Sequence, residues 1–250
     1  MKPTVSFIIP AYNEEGHLKI TVEETLRVLA SYVDDYEIII VNDGSTDQTA
    51  VIANECARNN PRIKVFHNDR NRGFGYTCGR GIKEAAKEFI GWVSADTVWP
   101  EETLQEAIAL LGKTDIVATY PLNQKERPFL RRFISCLFTT SMNKIFFLHM
   151  KYFNGGCFHR AALIKNVVIH SKGLTFWAEA LVRLSSRGYH VVEIGIMNKD
   201  RKVGQSKAFK LKNIMATLEM IMRLFYDVHI RRQKNVSSPS PSSLSRVESQ

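Results

Sequence analysis

Five short apolar segments, each followed by polar residues and then by a helical stretch, constrain the fold of this chain more than any other feature. They cover residues 5–10, 36–41, 63–67, 89–93 and 115–120. Near-continuous apolar strands that alternate with helices are typical of a mostly parallel sheet covered on both faces. We therefore predict an α/β fold, in which ligands bind beyond the carboxyl ends of the strands.

The second half of the sequence is less regular. Residues 129–150 and 175–187 are predicted to be helical, and residues 190–196 form an apolar run typical of a strand. Between 208 and 230, an apolar stripe predicts an amphipathic helix, and its members are Leu211, Met215, Leu218, Met222, Phe225 and His229. This stripe fits either packing in the core or contact with a membrane surface. Residues 235–250 lack apolar periodicity and are predicted to be disordered.

The net charge of +9 is concentrated near the C-terminus, because residues 199–234 hold ten Lys or Arg against three Asp or Glu. Such a segment predicts a polyanionic partner, namely phosphate, anionic lipid or nucleic acid. The sequence carries no nucleic-acid recognition motif, which argues against the last of these. The four cysteines are widely spaced and form no C-x-x-C pair, as in reduced cytosolic proteins. The sequence contains no run of about 18 apolar residues, so no membrane span is predicted.

Polar residues follow the first three predicted strands. Tyr12 offers a ring on which a nucleobase can stack, although its acidic neighbours also suit a helix N-terminus. Asp43 in "VNDGST" either accepts hydrogen bonds from a base or forms an Asx turn. The third loop, "NRGFGYTCGRG", contains Arg72. It does not match a Rossmann fingerprint, because residue 78 is not glycine and the loop follows the third strand rather than the first. Together, the three loops predict a nucleotide site.

A fourth polar loop follows the apolar run of residues 89–93. In "FIGWVSADTVWP", Asp96 is a lone carboxylate at the end of a buried strand, and Ser94 stands two residues before it. Taken alone, the segment fits a turn at least as well as a metal site. Its place after three other polar strand ends favours the metal site.

These segments resemble family 2 glycosyltransferases of the GT-A fold. The motifs "FIIPAYNEE", "EIIIVNDGSTDQT" and "NRGFGYTCGRG", followed by a strand ending in an acid, carry the resemblance. Three later motifs, "NGG-C-F-HR", "FWAEALVRLSSRGY" and "RKVGQSK", are similar to the dolichyl- or polyprenyl-phosphate mannose synthase group, so the likeness spans roughly residues 5–210.

The resemblance implies the domain organisation. It predicts a GT-A domain over 1–207, a Rossmann-like mostly parallel sheet flanked by helices. Residues 1–120 would form the half that binds the nucleotide sugar, and 121–207 the half that binds the acceptor. A basic amphipathic helix (208–234) and a disordered tail (235–250) would follow.

The resemblance also implies the donor site. Pro10, Tyr12 and Glu14 would contact the nucleotide, Asp43 would read the base, and Arg72 is a further donor-site candidate. Asn42 replaces the first acid of the family's "DDGS" motif.

Asp96 matches the last acid of the family's "D-x-D" motif and would bind Mg²⁺ or Mn²⁺ at the donor diphosphate. Ser94 replaces the first acid of that motif, and Val98 stands where mannose synthases usually carry Gln.

Cationic residues are the candidates for an acceptor phosphate. They are Arg127, Arg131 and Arg132 in "QKERPFLRRF" and Arg201, with Ser206 and Lys207, in "RKVGQSK". Glu179 in "FWAEAL" is either a catalytic base for a hydroxyl acceptor or a helix acid that orders the site.

The predicted function is inverting transfer of a hexose from GDP-mannose or a UDP-hexose to a polyprenyl or dolichyl phosphate. The enzyme would be cytoplasmic and peripheral on the cytoplasmic face of a membrane. Its partners would be the donor, the lipid phosphate and the membrane surface, with an anchoring protein left open and no nucleic acid. One alternative is a family 2 enzyme that adds a sugar to a hydroxyl in surface polysaccharide. The other is a catalytically weak nucleotide-sugar-binding subunit.

Overall fold

The computed structural model describes residues 3–197 and 211–231, which contain seven strands of one sheet. The strands are β1 (Val5–Ala11), β2 (Tyr36–Asn42), β3 (Ile63–His67), β4 (Phe89–Trp92), β5 (Ile116–Pro121), β6 (Cys157–Arg160) and β7 (Val191–Ile196). Each apolar run that predicted a strand forms one, because runs of this kind can be buried on both faces of a sheet.

Helices connect the strands at the predicted places. They are α1 (Leu18–Tyr32), α2 (Thr49–Asn59), α3 (Phe74–Glu84), α4 (Glu101–Leu110), α5 (Phe129–Phe146), α6 (Ala161–Ile164), α7 (Phe176–Ser185) and α8 (Leu211–Phe225). A short 3₁₀ turn lies at Gln124–Glu126, and a π-helical segment at Tyr226–Arg231 continues α8. The predicted boundaries at 207 and 234, and the predicted disorder of 235–250, lie outside the described residues.

The strand order is β3-β2-β1-β4-β6-β5-β7. All neighbouring strands are parallel except β6, which is antiparallel to both β4 and β5. The chain runs outward from β1 to β2 and β3, then returns to the other side of β1 with β4. This reversal creates a switch point between β1 and β4, the place where open α/β sheets bind ligands. The predicted α/β class is confirmed.

The sheet separates two hydrophobic clusters. Ile8 and Ile39 belong to one cluster, while Phe7, Ile9 and Ile38 belong to the other, and all five are fully buried. Burial of each such side chain stabilises the fold by about 1.5–3 kcal/mol. The central strands are therefore apolar at consecutive positions because both of their faces are covered. All four cysteines lie in described segments and are free thiols, as predicted.

Two helices expose apolar side chains. On α8, four members of the predicted stripe are exposed, namely Met215, Leu218, Met222 and Phe225. Among the α8 side chains that the structure describes, Met220 and Leu224 are the buried ones, so core packing is the wrong interpretation for the four exposed members. On α5, Phe129 is 78% exposed and Leu130, Phe133 and Leu137 are also exposed. Within residues 3–197 and 211–231, no helix has both the length and the hydrophobicity to cross a bilayer.

Candidate functional site

The carboxyl ends of β1, β2 and β4 lie side by side at one edge of the sheet. In the parallel register, Ala11 of β1 pairs with Asn42 of β2, and Ile8 pairs with Trp92 of β4. The loops that contain Tyr12, Asp43 and Asp96 therefore begin at this edge, as the sequence predicted. Pro10 lies within β1, where it pairs with Val41 of β2, and it is buried.

The loops after β1 and β2 are joined by hydrogen bonds. The backbone N–H of Asn13 donates to Ser45 Oγ (3.0 Å), and Asn13 Oδ1 accepts from the backbone N–H of Thr46 (2.9 Å). The N–H of Glu14 donates to Thr49 Oγ1 (2.8 Å). Asn13 has a φ of 55°, a left-handed conformation that asparagine tolerates better than most residues. Tyr12, 37% exposed, thus extends from a loop whose backbone is held in place.

Asp43 holds the third loop against the end of β2. Its carboxylate is only 3% exposed. Oδ1 accepts from Asn68 Nδ2 (2.8 Å) and from the N–H of Arg72 (2.9 Å), while Oδ2 accepts from the N–H of Gly73 (2.9 Å). This structural role was not foreseen from the sequence, because the donors are 25 to 30 residues away. Contact between Asp43 and a base stays a prediction.

The neighbouring Asn42, rather than Asp43, is hydrogen-bonded to the residues that follow β2. Asn42 Oδ1 accepts from the N–H of Ser45 (3.2 Å) and from Ser45 Oγ (2.5 Å). Its amide nitrogen contacts His67 Nδ1 at 3.0 Å. The Asx-turn interpretation of Asp43 was therefore wrong, because its oxygens accept from Asn68, Arg72 and Gly73. An amide suits position 42 because it can donate to the ring of His67 while it accepts from Ser45.

Arg72 lies on the exposed side of the third loop. Its Nε and Nη2 donate to both oxygens of Asp69 (2.9 and 3.0 Å), which holds the pKa of Asp69 below its usual value. The guanidinium is 5.6 Å from the ring centroid of Tyr76, which is 45% exposed in the first turn of α3. Tyr76 was not predicted from the sequence. An isolated aromatic at the start of a helix carries no periodic signal.

The glycines at the start of α3 accommodate another loop. The N–H of Gly75 donates to Lys172 O (2.8 Å), and a Cβ on Gly75 would lie 2.4 Å from Ser171 O. Gly73 has a φ of 95°, and its Cβ would lie 2.9 Å from Lys172 O. These glycines are required for the close approach of residues 171–172, which explains them without a Rossmann phosphate site.

Asp96 lies in a turn at the end of β4. Ala95 is fully buried and its carbonyl accepts from Thr21 Oγ1 (2.8 Å), which fixes the turn to α1. The N–H of Thr97 donates to Ser94 O (3.0 Å), and Thr97 Oγ1 lies 3.2 Å from Asp96 Oδ1. Ser94 and Asp96 are both half-buried beside the switch point.

The donor set at this turn is one carboxylate with neighbouring hydroxyls. In the part of the chain that the structure describes, no three His, Cys, Asp or Glu side chains are grouped to hold a metal. Mg²⁺ takes oxygen ligands, commonly one or two carboxylates together with phosphate and water oxygens. The oxygen atoms of Asp96 and its neighbours fit such a cation in the presence of a diphosphate.

The acceptor candidates occupy two different environments. Arg127 is half-buried after the 3₁₀ turn, whereas Arg131 and Arg132 are exposed in the first turn of α5, next to exposed Phe129 and Phe133. The other candidates, Arg201, Ser206 and Lys207, lie outside the described residues.

Glu179 is 1% exposed in α7 and is bonded to protein groups on both oxygens. It accepts from the N–H groups of His170 (3.1 Å) and Ser171 (2.8 Å) and from Arg183 Nε (2.8 Å). Burial raises the pKa of Glu179, but these hydrogen bonds outweigh it and hold the pKa below its usual value. A general base has to reach its substrate and suits a pKa near neutrality. The geometry favours the other predicted role, an acid that orders the site.

The profile of the family described as "Glycosyl transferase family 2" matches residues 6–166. An undecaprenyl-phosphate 4-deoxy-4-formamido-L-arabinose transferase of Pectobacterium carotovorum is 28% identical over 86% of this chain and 66% of its own length. A dodecaprenyl-phosphate galacturonate synthase of Rhizobium johnstonii is 25% identical over 89% of this chain and 67% of its own. A putative glycosyltransferase of Bacillus subtilis, EpsH, is 37% identical over 46% of this chain and 33% of its own. The chain thus spans about one third to two thirds of these relatives.

Among solved structures, the glucosyl-3-phosphoglycerate synthase of Mycobacterium tuberculosis in complex with Mg²⁺ and UDP matches with a TM-score of 0.66. The match covers 90% of this chain and 79% of the synthase, at 13% identity. At this identity the likeness establishes the fold alone. The predicted resemblance to family 2 is confirmed.

Proposed function

The chain belongs to glycosyl transferase family 2, and we propose that it transfers a sugar from a nucleotide sugar to a polyprenyl phosphate. The observation that carries the proposal is the half-buried carboxylate of Asp96 at the switch point between β1 and β4. Two relatives that match most of this chain are named for polyprenyl-phosphate sugar transfer, which supports the acceptor class.

The donor binds at the edge formed by β1, β2 and β4. The exposed rings of Tyr12 and Tyr76 offer surfaces for the base. Glu14 lies in the loop after β1, together with Tyr12. Asp43 keeps Arg72 and the start of α3 in position. Asp96 holds Mg²⁺ or Mn²⁺, and the M. tuberculosis synthase, which was crystallised with either ion and UDP, supports this class of metal. When bound, the cation neutralises charge on the departing diphosphate.

The acceptor supplies its own nucleophile. A polyprenyl phosphate oxygen is already anionic at pH 7, so inverting attack on the sugar requires no general base. This agrees with Glu179, whose oxygens are bonded to protein donors. Arg131 and Arg132 are exposed beside apolar side chains of α5, an arrangement that suits a phosphate attached to an isoprenoid chain. Arg127, Arg201, Ser206 and Lys207 are further proposed phosphate ligands.

The exposed apolar faces of α5 and α8 support a peripheral position on a membrane. An interfacial helix presents Leu, Met and Phe to the acyl boundary and basic residues to anionic headgroups. We place the protein on the cytoplasmic face, where anionic lipids attract the basic 199–234 segment. The proposed parts are a donor half (1–120), an acceptor half (121–207), the basic helix (208–234) and the tail.

A thermal-shift panel of nucleotide sugars with and without Mn²⁺ tests the donor site. One donor should stabilise the protein only with metal, and Asp96→Ala should remove that shift. Glu106→Ala, which removes an exposed carboxylate from α4, is the matched control and should retain it. Equal stabilisation without metal contradicts the role of Asp96.

Transfer of a radiolabelled sugar into a lipid extract tests the acceptor. At saturating donor, Glu179→Gln should reduce kcat by less than tenfold, since a phosphate needs no base. If a hydroxyl is the acceptor and Glu179 is its base, the loss should be about 10²–10⁴-fold. Donor binding without any transfer to lipid would instead indicate a nucleotide-sugar-binding subunit.

The membrane position is tested by co-sedimentation with vesicles that contain anionic lipid. Met222→Glu introduces a charge on the exposed face of α8 and should reduce the bound fraction. Gln105→Glu, at an exposed polar position of α4, a helix outside the proposed membrane surface, is the control. Unchanged binding of the Met222 variant contradicts contact through α8.

A further inference from the structure

A chain of buried ion pairs links α7 to the π-helical end of α8. Arg183 Nε donates to Glu179 Oε1 and Arg183 Nη2 donates to Asp227 Oδ2, both at 2.8 Å. The side chains of Arg183 and Asp227 are 10% and 17% exposed. The planar guanidinium thus bridges two carboxylates from different helices. The proposed reaction uses neither Arg183 nor Asp227.

The other end of this chain fixes the loop before α7. The second oxygen of Glu179 accepts from the N–H of Ser171 at 2.8 Å, and His170 N–H lies 3.1 and 3.2 Å from the two oxygens. Lys172 O, in the same loop, accepts from the N–H of Gly75 at 2.8 Å. Because a Cβ on Gly75 would overlap Ser171 O, the loop is seated directly on the backbone of α3.

The start of α3 belongs to the donor edge. Asp43 accepts from the N–H groups of Arg72 and Gly73, the two residues that precede α3. A continuous series of direct contacts therefore leads from Asp227 in the π-helical segment, through Arg183 and Glu179, to the loop that carries Arg72.

The helix α8 has one covered face and one exposed face. Its inner face packs through Met220 and Leu224, whereas Met222 on the outer face is 66% exposed. The π-helical turn directs Asp227 to Arg183, and His229 Nε2 lies 2.8 Å from Ile145 O of α5. π-Helical turns frequently occur at functional sites.

We propose that Arg183 is a positioning residue that couples the seating of α8 to donor affinity, by holding the 170–173 loop against the start of α3 through Glu179. The inference rests on the proposed function only in that the donor binds beside the start of α3. Coupling between sites in proteins commonly changes affinity by about 5- to 150-fold.

The test measures binding of UDP and GDP with Mn²⁺ by calorimetry, together with hydrogen exchange of the His170 and Ser171 amides. Asp227→Asn should weaken nucleotide binding by about fivefold or more, and should accelerate exchange of both amides. Asp227→Glu should restore both properties. Glu219→Gln removes the same charge from an exposed pair on α8 and should change neither.

A general loss of stability is separated from coupling by Ile108→Val. This variant truncates a buried side chain of α4 on the other face of the sheet and should lower Tm without weakening nucleotide binding. If Asp227→Asn does not fold, Arg183→Lys replaces it, because a flexible ammonium lacks the rigid fork with which Nε and Nη2 of the guanidinium reach the two carboxylates.

The outcomes separate the two proposals. If the wild type binds neither nucleotide, the proposed function fails. Faster exchange of the His170 and Ser171 amides in Asp227→Asn then still supports the connection from α8 to the loop, and unchanged exchange overturns it. If Asp227→Asn matches Glu219→Gln in affinity and in exchange, the coupling is overturned. Weaker binding with unchanged exchange at His170 and Ser171 also overturns it, because the loop would not then be the connection.

Discussion

Substitution of Asp43 by Asn tests whether one buried carboxylate holds the donor edge together. The Asn oxygen can retain the two bonds that Oδ1 accepts, from Asn68 and from the N–H of Arg72. The amide NH₂ replaces Oδ2 and faces the N–H of Gly73, which loses its acceptor. A hydrogen bond to a charged group contributes about 1.5–3 kcal/mol, and a buried donor left unpaired costs about 1–3 kcal/mol.

These contributions overlap, so we expect Asp43→Asn to lower the free energy of unfolding by about 2–4 kcal/mol. Equilibrium unfolding in urea at pH 7 measures this loss as a lower midpoint at constant slope. Asp69→Asn removes the same charge from an exposed carboxylate of the same loop and should have a small effect. If the two variants unfold at the same midpoint, the carboxylate of Asp43 does not hold the loop.

Three further substitutions test other parts of the fold and site. Gly44→Ala should destabilise the protein by about 2–5 kcal/mol, because φ is 65° and the Cβ would lie 2.4 Å from the Arg70 backbone; unchanged urea unfolding contradicts this. Burial raises the pKa of Glu37, but hydrogen bonds from a lysine, a serine hydroxyl and a backbone N–H outweigh it and hold the pKa below its usual value. Its stabilisation is therefore present above about pH 4.3 and is lost as the pH falls through the folded-state pKa, so Tm should differ between wild type and Glu37→Gln at pH 7 and converge in acid. A difference that does not change with pH refutes this. Ser94→Asp adds a second carboxylate to the turn and should lower the Mn²⁺ concentration required for half-maximal UDP binding by about tenfold, roughly 1.4 kcal/mol; calorimetry that detects no change refutes a metal at this turn.

The strands and the edge that they form were predictable from the sequence because burial on both faces leaves a local pattern. Residues 36–41 are apolar at nearly every position, and the structure buries each of them. The strand end that precedes Asp96 was located in the same way. What the sequence could not supply was the partner of each buried acid. The donors to Asp43 are distant in sequence, and two of the three donors to Glu179 lie in the irregular loop before α7.

The sequence also left open which face of α8 is exposed. Apolar residues occur on more than one side of this helix, so periodicity predicted a helix without indicating which side packs inward. Contact with α7 determines which side packs inward. Leu224 is buried, while Leu218 remains exposed.

The reversed direction of β6 has a consequence for how such a protein can diversify. Because β6 is antiparallel, its first residue, Cys157, lies at the edge where the other strands end. Gly155 and Gly156 lead into it in close contact with Thr119 and Trp99, where any Cβ would overlap. The chain segment before β6 therefore reaches this edge from outside the series of loops that follow β1, β2 and β4. Insertions or substitutions in residues 147–154 can therefore change the surface beside this edge while the loops after β1, β2 and β4 stay as they are.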